Sequence, residues 1–142
     1  MCTVTFLPLE NSTVVTANRD ESPARAARGL TTHLNAAQQH FHVAKEPIYG
    51  GTNMAIGDDG TVYVLLNGAF EPHPFGRKYE MSRGIMVLRS LNYNNLSAFA
   101  EDFDFEKTEP FTLLRFGKSI EEIRWDGTVL HQAAFSHKFP NI

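Results

Sequence analysis

Residues 2–21 read CTVTFLPLENSTVVTANRDE, and this stretch decides the expected fold. Two segments rich in Thr, Val and Phe, at 2–7 and 12–17, flank a short polar break at 9–11, which is typical of two paired strands. Residues equally far from the turn of a hairpin lie opposite one another. The hairpin therefore predicts that the charged motif Asn18-Arg19-Asp20-Glu21 lies beside the start of the chain.

Beyond this hairpin the segments run as strands, then helices, then strands. Strand-like runs at 52–57 and 61–67 are joined by Asp58-Asp59-Gly60, and three more follow at 111–117, 119–125 and 128–136. Apolar residues at helical spacing predict helices at 79–93 and 96–103. Residues 22–29 and 70–76 are expected to be loops, and 30–49 fits no single pattern. We expect one α+β domain over 1–142, an antiparallel sheet covered by the two helices.

The composition of the chain excludes several classes of protein. Its 142 residues, 42% hydrophobic and 20% charged, suit one globular domain. The net charge of −3, without a run of like charge, argues against a nucleic-acid partner. We find neither a secretory leader nor an apolar run of about 20 residues that would span a membrane. These features favour a cytoplasmic protein.

The sequence has one cysteine, Cys2, which excludes an intrachain disulfide and a cysteine-based zinc site. Removal of Met1 would leave a thiol and a free α-amine on the same residue. The amine, which titrates near about 8, can then take the proton of the thiol. Cys2 is therefore a candidate nucleophile, and the alternative is a small apolar residue that begins a buried strand.

The motif at 18–21 supplies two kinds of help to a terminal nucleophile. A carboxylate would hold the N-terminal ammonium, and an arginine would favour the thiolate. The alternative is a solvated charged turn. The histidines give weaker evidence of a functional site. His40 and His42 share a strand face, but no third ligand follows at a suitable spacing, so no metal site is predicted. His73, between two prolines, is expected in a solvated loop near a pocket mouth.

Five short motifs, taken together and in order, resemble the NRDE family, which includes the transport and Golgi organisation proteins. The motifs are Met1-Cys2-Thr3-Val4, Ala17-Asn18-Arg19-Asp20-Glu21, Gly50-Gly51-Thr52, Leu66-Asn67 and Ser82-Arg83-Gly84. The resemblance spans positions 1 to about 136. It implies the αββα sandwich of the N-terminal-nucleophile (Ntn) hydrolases, incomplete at its C-terminus because family members continue past Ile142.

The wider superfamily includes acylases that begin with a catalytic cysteine and cleave amide bonds through an acyl-enzyme. The resemblance implies that Cys2 attacks an amide or related acyl carbon of a small molecule, without a cofactor. Asn67 would bind the oxyanion, its alternative being an ordinary Asn-Gly turn. The relatives carry Arg-x-x-Asp after the first hairpin. Here Arg19 and Asp20 are adjacent, and an ungapped match puts Asn18 and Glu21 at those positions, so all four residues are candidates.

The resemblance also implies a second hypothesis, a non-catalytic carrier of haem or lipid, because some family members are linked to haem handling and membrane trafficking. Cys2, His40, His42 or His73 would then be candidates for an iron ligand. Asn53 stands where the family commonly has an aromatic residue, and a second active-site asparagine typical of the superfamily would fall beyond Ile142. We interpret Ser82-Arg83-Gly84 as a packing element at the start of a helix.

Overall fold

The computed structural model describes residues 2–10, 12–19, 21–71 and 78–136, and this part of the chain forms two antiparallel sheets and two helices. The small sheet pairs β1 (Thr3–Pro8) with β2 (Thr13–Asn18). The large sheet has seven strands, which lie in chain order: β3 (Thr31–Leu34), β4 (His40–Val43), β5 (Met54–Gly57), β6 (Val62–Asn67), β7 (Phe111–Phe116), β8 (Ile120–Trp125) and β9 (Leu130–Phe135). The helices α1 (Arg83–Ser90) and α2 (Leu96–Asp102) connect β6 to β7.

The two faces of the large sheet are covered by different layers, because successive side chains of a strand point to opposite faces. On β6, Tyr63 and Leu65 belong to the core beneath the helices, whereas Val64 packs in a second cluster with side chains of β1 and β2. In that second cluster Phe6 of β1 stacks on Phe116 of β7, with 5.1 Å between ring centroids. The layers are therefore helices, seven-stranded sheet and two-stranded sheet, an α+β sandwich.

The helix layer is fixed by its caps and by an aromatic core. Ser82 caps α1 by accepting a hydrogen bond from Ile85 N at 3.3 Å, and Asn95 caps α2 by accepting from Ala98 N at 2.7 Å. Phe99 of α2 is fully buried and contacts a group of aromatic rings: Tyr93, Phe103 and Phe105. Among the described residues, no helix has the length and apolar character needed to cross a membrane.

The opening hairpin is confirmed, with Thr3 opposite Asn18 and Pro8 opposite Thr13. The hairpin around Gly60 is also confirmed, and this glycine has the positive φ, 81°, that the turn requires. Residues 30–49 resolve into β3 and β4. The predicted helix at 79–93 is too long, because the chain before Arg83 is not helical and Ser82 provides the cap.

Candidate functional site

A cleft of about 400 Å³ opens where the β1–β2 hairpin returns to the start of the chain. Its walls come from the end of β2, the loop before β5, the end of β6 and the start of α1. The register that pairs Thr3 with Asn18 places Cys2 next to Arg19, and Arg19 lines the cleft. The Cys2 side chain is partly buried and is not itself among the lining residues.

The charged motif continues as a ladder of ion pairs along one wall of the cleft. Glu21 accepts from Arg19 at 3.3 Å and from Arg25 at 2.6 Å, both contacts reaching the same oxygen, Oε2. Asn18 is the last residue of β2 and does not line the cleft, whereas Arg19 and Glu21 do. Asp20 lies outside the described residues. Of the four predicted motif residues, the structure therefore brings Arg19 and Glu21 to the cleft.

The ladder ends on a buried carboxylate that sequence reasoning did not single out, Glu46. Only 2% of Glu46 is exposed, and it accepts hydrogen bonds from the backbone N–H groups of Ile48 at 3.0 Å and Tyr49 at 2.6 Å. Burial alone would raise its pKa, but these N–H groups and the Arg25 guanidinium hold the pKa of Glu46 below its usual value. Arg25 also stacks over the Tyr49 ring at 5.2 Å. The Glu46 carboxylate, through its hydrogen bonds and its contact with Arg25, thus holds the loop on this side of the cleft in place.

The glycine motifs meet at the opposite wall. A Cβ added to Gly51 would lie 2.8 Å from the backbone of Gly84, and one added to Gly84 would lie 2.9 Å from Thr52 N. In the space that the absent side chains leave, Thr52 N donates to Gly84 O at 3.2 Å. The two glycines let the loop and the first turn of α1 touch through their backbones. This contact places Ser82 and Arg83 on the cleft.

Arg83, the first residue of α1, is the most enclosed arginine of the cleft, with 17% of its side chain exposed. Its Nη2 pairs with Glu109 Oε2 at 2.8 Å, and its Nη1 donates to Pro110 O at 3.2 Å. Burial lowers the pKa of the Arg83 guanidinium. The negative charge of Glu109 acts on this pKa in the opposite direction. The ion pair with Glu109 therefore holds the Arg83 guanidinium at the cleft.

Asn67 completes the cleft from the large sheet. It is the last residue of β6, it is exposed, and it lines the cleft. Its backbone pairs with Phe111, and the following residue, Gly68, turns the chain away with a φ of 87°. The expected position of this asparagine at a strand end is thus confirmed, and Asn67 lines the same cleft as Arg19 and Arg83.

Comparison with known families decides what this arrangement belongs to. A family model described as Transport and Golgi organisation 2 matches residues 1–125. The chain belongs to the Transport and Golgi organisation 2 family. No curated protein matches it. The residues matched by the Transport and Golgi organisation 2 model include both sheets up to the end of β8, and every residue that lines the cleft.

The histidines that the structure of this Transport and Golgi organisation 2 chain describes do not line the cleft. His40 and His42 share a face of β4 as predicted, and both approach Asp58, with His42 Nε2 3.0 Å from Asp58 Oδ1. All three side chains are about half exposed. The described residues contain no group of three or more His, Cys, Asp or Glu side chains suited to hold a metal ion. His73 lies outside the described residues.

Arg83 belongs to the motif Ser82-Arg83-Gly84, for which the sequence alone predicts packing and no chemical role. One signal was available: a cation at the first position of a helix opposes the helix dipole, which favours negative charge there by about 0.3–1 kcal/mol. An arginine directly after a serine N-cap therefore indicates either an acidic partner that offsets this unfavourable interaction or a functional role for the arginine. The Transport and Golgi organisation 2 chain supplies the partner, Glu109, from the loop before β7.

Proposed function

We propose that the protein is an N-terminal-nucleophile acyl-transfer enzyme, a cysteine amidohydrolase in which Cys2 attacks an amide or related acyl carbon. The observation that carries this proposal is that Arg19 and Asn67 line one cleft of about 400 Å³, and that the register of the hairpin puts Cys2 beside Arg19. This volume falls within the range of about 300–1,000 Å³ that is common for small-molecule sites. A small acyl substrate would fit there.

In the proposed reaction the Cys2 α-amine, freed by removal of Met1, accepts the thiol proton as sulfur attacks the acyl carbon. The Asn67 amide donates a hydrogen bond to the oxyanion that develops on the acyl oxygen. When the tetrahedral intermediate collapses, the amine of the substrate leaves and takes the proton from the α-ammonium group of Cys2. The acyl group stays on Cys2 as a thioester. Water, activated by the α-amine, then hydrolyses the thioester and restores the thiol.

The charge ladder supports a division of roles among the motif residues. Glu21 is already shared between Arg19 and Arg25, so its carboxylate orients these arginines. We assign Arg19, which lies next to Cys2 by the strand register, to the support of negative charge at the site. Asp20 remains the candidate for orienting the α-amine, and Asn18 is assigned no direct contact with substrate because it does not line the cleft.

We further propose that the sandwich is of the Ntn-hydrolase type. Three observed layers support this assignment: helices, a seven-stranded antiparallel sheet and the sheet formed by β1 and β2. An αββα sandwich would add a second helix layer outside β1 and β2. The site would then lie at the ends of the strands of both sheets, where Cys2 and Asn67 are found.

A cysteine-directed acylating probe tests this function. We expect one acyl group on the native protein, its loss in Cys2→Ala, and retention of a slowly hydrolysing acyl group in Cys2→Ser. Asn67→Ala serves as a test of the oxyanion contact, with Asn94→Ala, an exposed asparagine between the helices, as its matched control. Equal labelling of Cys2→Ala and the native protein would show that Cys2 is not the nucleophile.

A second candidate function, carriage of an apolar ligand such as a lipid or haem, is favoured by a different cavity. A groove of about 810 Å³ lies between the β1–β2 hairpin and the large sheet, and its apolar lining includes Phe6, Val15, Met54 and Val62. None of Cys2, His40 and His42 lines this groove, so the groove favours a lipid chain over haem bound through those residues.

A ligand titration separates the two functions. Carriage would be supported by a fluorescent fatty acid that binds the native protein and binds the Val15→Asp variant at least tenfold more weakly. Haem that produces no Soret shift would exclude haem as the ligand. Binding that survives in Cys2→Ala, combined with unlabelled Cys2 in the acylation experiment, would favour carriage over acyl transfer.

A further inference from the structure

We propose that Arg83 is a positioning residue for Asn67, and that it acts through the backbone carbonyl of Pro110. This role rests on the proposed function, because Asn67 is the residue assigned there to the oxyanion. Arg83 begins α1, whereas Asn67 ends β6, and both line the cleft. The segment before β7 is hydrogen bonded both to Arg83 and to Gly68, the residue that follows Asn67.

One carbonyl oxygen joins the two elements. Pro110 O accepts a hydrogen bond from Gly68 N at 3.0 Å and another from Arg83 Nη1 at 3.2 Å. A carbonyl oxygen has two lone pairs, so both bonds can form at once. Proline has no backbone N–H, and the carbonyl is therefore the only backbone group through which the buried Pro110 can bond. Arg83 and the residue after Asn67 are thus held on the same atom.

The strand end that carries Asn67 rests on three consecutive residues of the neighbouring chain segment. Asn67 pairs with Phe111 in the β6–β7 ladder, and Gly68 N bonds to Pro110. Gly68 O in turn accepts from Thr112 Oγ1 at 3.2 Å, at the point where the chain turns away with a φ of 87°. A displacement of Pro110 would therefore be passed directly to the backbone of Asn67.

The Arg83 side chain is itself fixed against this segment. Its Nη2 pairs with Glu109 Oε2 at 2.8 Å, and 17% of the Arg83 side chain is exposed. Because Glu109 precedes Pro110, the guanidinium contacts two consecutive residues. A backbone hydrogen bond from Met81 N to Lys107 O, at 3.0 Å, joins the same two segments. Residues 81–83 and 107–110 are thus linked at three points, and the Arg83 guanidinium supplies two of them.

Placement matters because an oxyanion donor acts only at hydrogen-bond distance from the developing charge. Loss of one such donor slows acyl transfer by about 10²–10³-fold. A misplacement of about 1 Å can cost about 10²-fold. Arg83→Gln shortens the side chain, removes the bond to Pro110 O and releases Glu109, while the bond from Gly68 N can remain. We therefore expect a partial loss, an acylation rate about tenfold lower.

Two reactions of Cys2 separate an effect on the oxyanion from an effect on the thiol. With para-nitrophenyl acetate, sulfur attacks the acyl carbon, an oxyanion forms, para-nitrophenolate leaves and a thioester remains. With iodoacetamide, sulfur displaces iodide and forms a thioether, without an oxyanion. We expect Arg83→Gln to slow acylation and to leave alkylation unchanged. Arg89→Gln, which removes the same charge from an exposed position on α1, is the matched control and should change neither rate.

A double-mutant cycle tests whether Arg83 acts through Asn67. If it does, Arg83→Gln has no further effect on acylation once Asn67→Ala is present, because residues that act as one unit are not additive. An independent role in the fold or at Cys2 predicts instead that the two losses multiply. Multiplied losses, equal slowing of acylation and alkylation, or native acylation in Arg83→Gln would each overturn the proposal. Should Arg83→Gln fail to fold, Glu109→Gln, which weakens the other contact of the guanidinium, enters the same cycle.

The side-chain amide signals of Asn67 in a nitrogen–proton correlation spectrum provide a measurement that needs no reaction. We expect these signals to shift in Arg83→Gln and to stay in place in Arg89→Gln. Unchanged Asn67 signals in Arg83→Gln would overturn the positioning role, whether or not Cys2 is acylated. Shifted signals in a protein whose Cys2 is never acylated would overturn the proposed function alone.

Discussion

The contact between Gly51 and Gly84 makes Gly84→Ala the most informative single substitution for the architecture of the cleft. In a helix, alanine is ordinarily favoured over glycine by about 1 kcal/mol. Gly84 is a helical residue without a positive φ, so the backbone accepts alanine. Helix propensity alone therefore predicts that the substitution stabilises the protein.

The packing predicts the opposite. The new Cβ would lie 2.9 Å from Thr52 N and 3.0 Å from Gly51 Cα, both backbone atoms that cannot rotate away. Inserting a methyl group into a tight contact costs typically about 1–3 kcal/mol. Because Gly84 lies in the first turn, where propensity counts least, we expect a net loss of about 1–2 kcal/mol. This loss lowers the melting temperature by roughly 2–8 °C in a chain of this size.

The assay is thermal and urea unfolding followed by circular dichroism, with Ser97→Ala as the control. Ser97 is an exposed residue in the first turn of α2, and its substitution is expected to change stability by less than about 0.5 kcal/mol. A Gly84→Ala protein as stable as the native one, or more stable, would refute the reasoning that the two glycine motifs exist to let the loop and α1 touch.

Three further predictions concern single side chains. Glu46→Gln places an amide group opposite two backbone N–H donors and is expected to cost about 1–3 kcal/mol in urea unfolding at pH 7. Since the pKa of Glu46 is lowered, its contribution is present above its usual value of 4.5, and the difference between the two proteins should shrink as the pH falls below that value. Asp126, whose pKa is lowered to about 2 by hydrogen bonds from Val129, His131 and Thr128, stabilises the fold above about pH 4, and Asp126→Asn should flatten the fall in melting temperature between pH 4 and 2. Asn67→Ala should slow acylation by about 10²–10³-fold while leaving the melting temperature within about 2 °C.

Each of these has a contradicting result. A Glu46→Gln protein whose stability equals that of the native protein at pH 7 would mean that the buried carboxylate is not required in its charged form. An unchanged slope in Asp126→Asn would remove that residue as a source of acid sensitivity. If Asn67→Ala acylates at the native rate, its amide does not bind the oxyanion.

The hairpins could be predicted because their turns carry local signals. The break at 9–11 and the turn at Asp58-Asp59-Gly60 each mark a hairpin, and the strands that flank them alternate or contain β-branched residues. β3 and β4 could not be assigned, since each has four residues and β3 buries none of them fully. β3 shows no regular alternation of buried and exposed residues, and β4 alternates over only four residues, the shortest run on which alternation indicates a strand.

Part of the candidate site could be predicted for a related reason, namely that some of its residues are placed by local features of the chain. The symmetry of a hairpin about its turn predicts Arg19 next to Cys2, and a strand end locates Asn67. Arg83 and Glu109 belong to segments far along the chain, and their place depends on how α1 packs on the loop at Gly51. Such contacts follow from tertiary packing and have no local sequence signal.

The central claim, that Cys2 is a terminal nucleophile, is tested most directly by the intact mass of the protein before and after exposure to an acyl donor. The account predicts a chain that begins at Cys2, without Met1, and that gains one acyl group, which tandem mass spectrometry places on residue 2. A chain that retains Met1, or an acyl group that maps to a lysine, would contradict it.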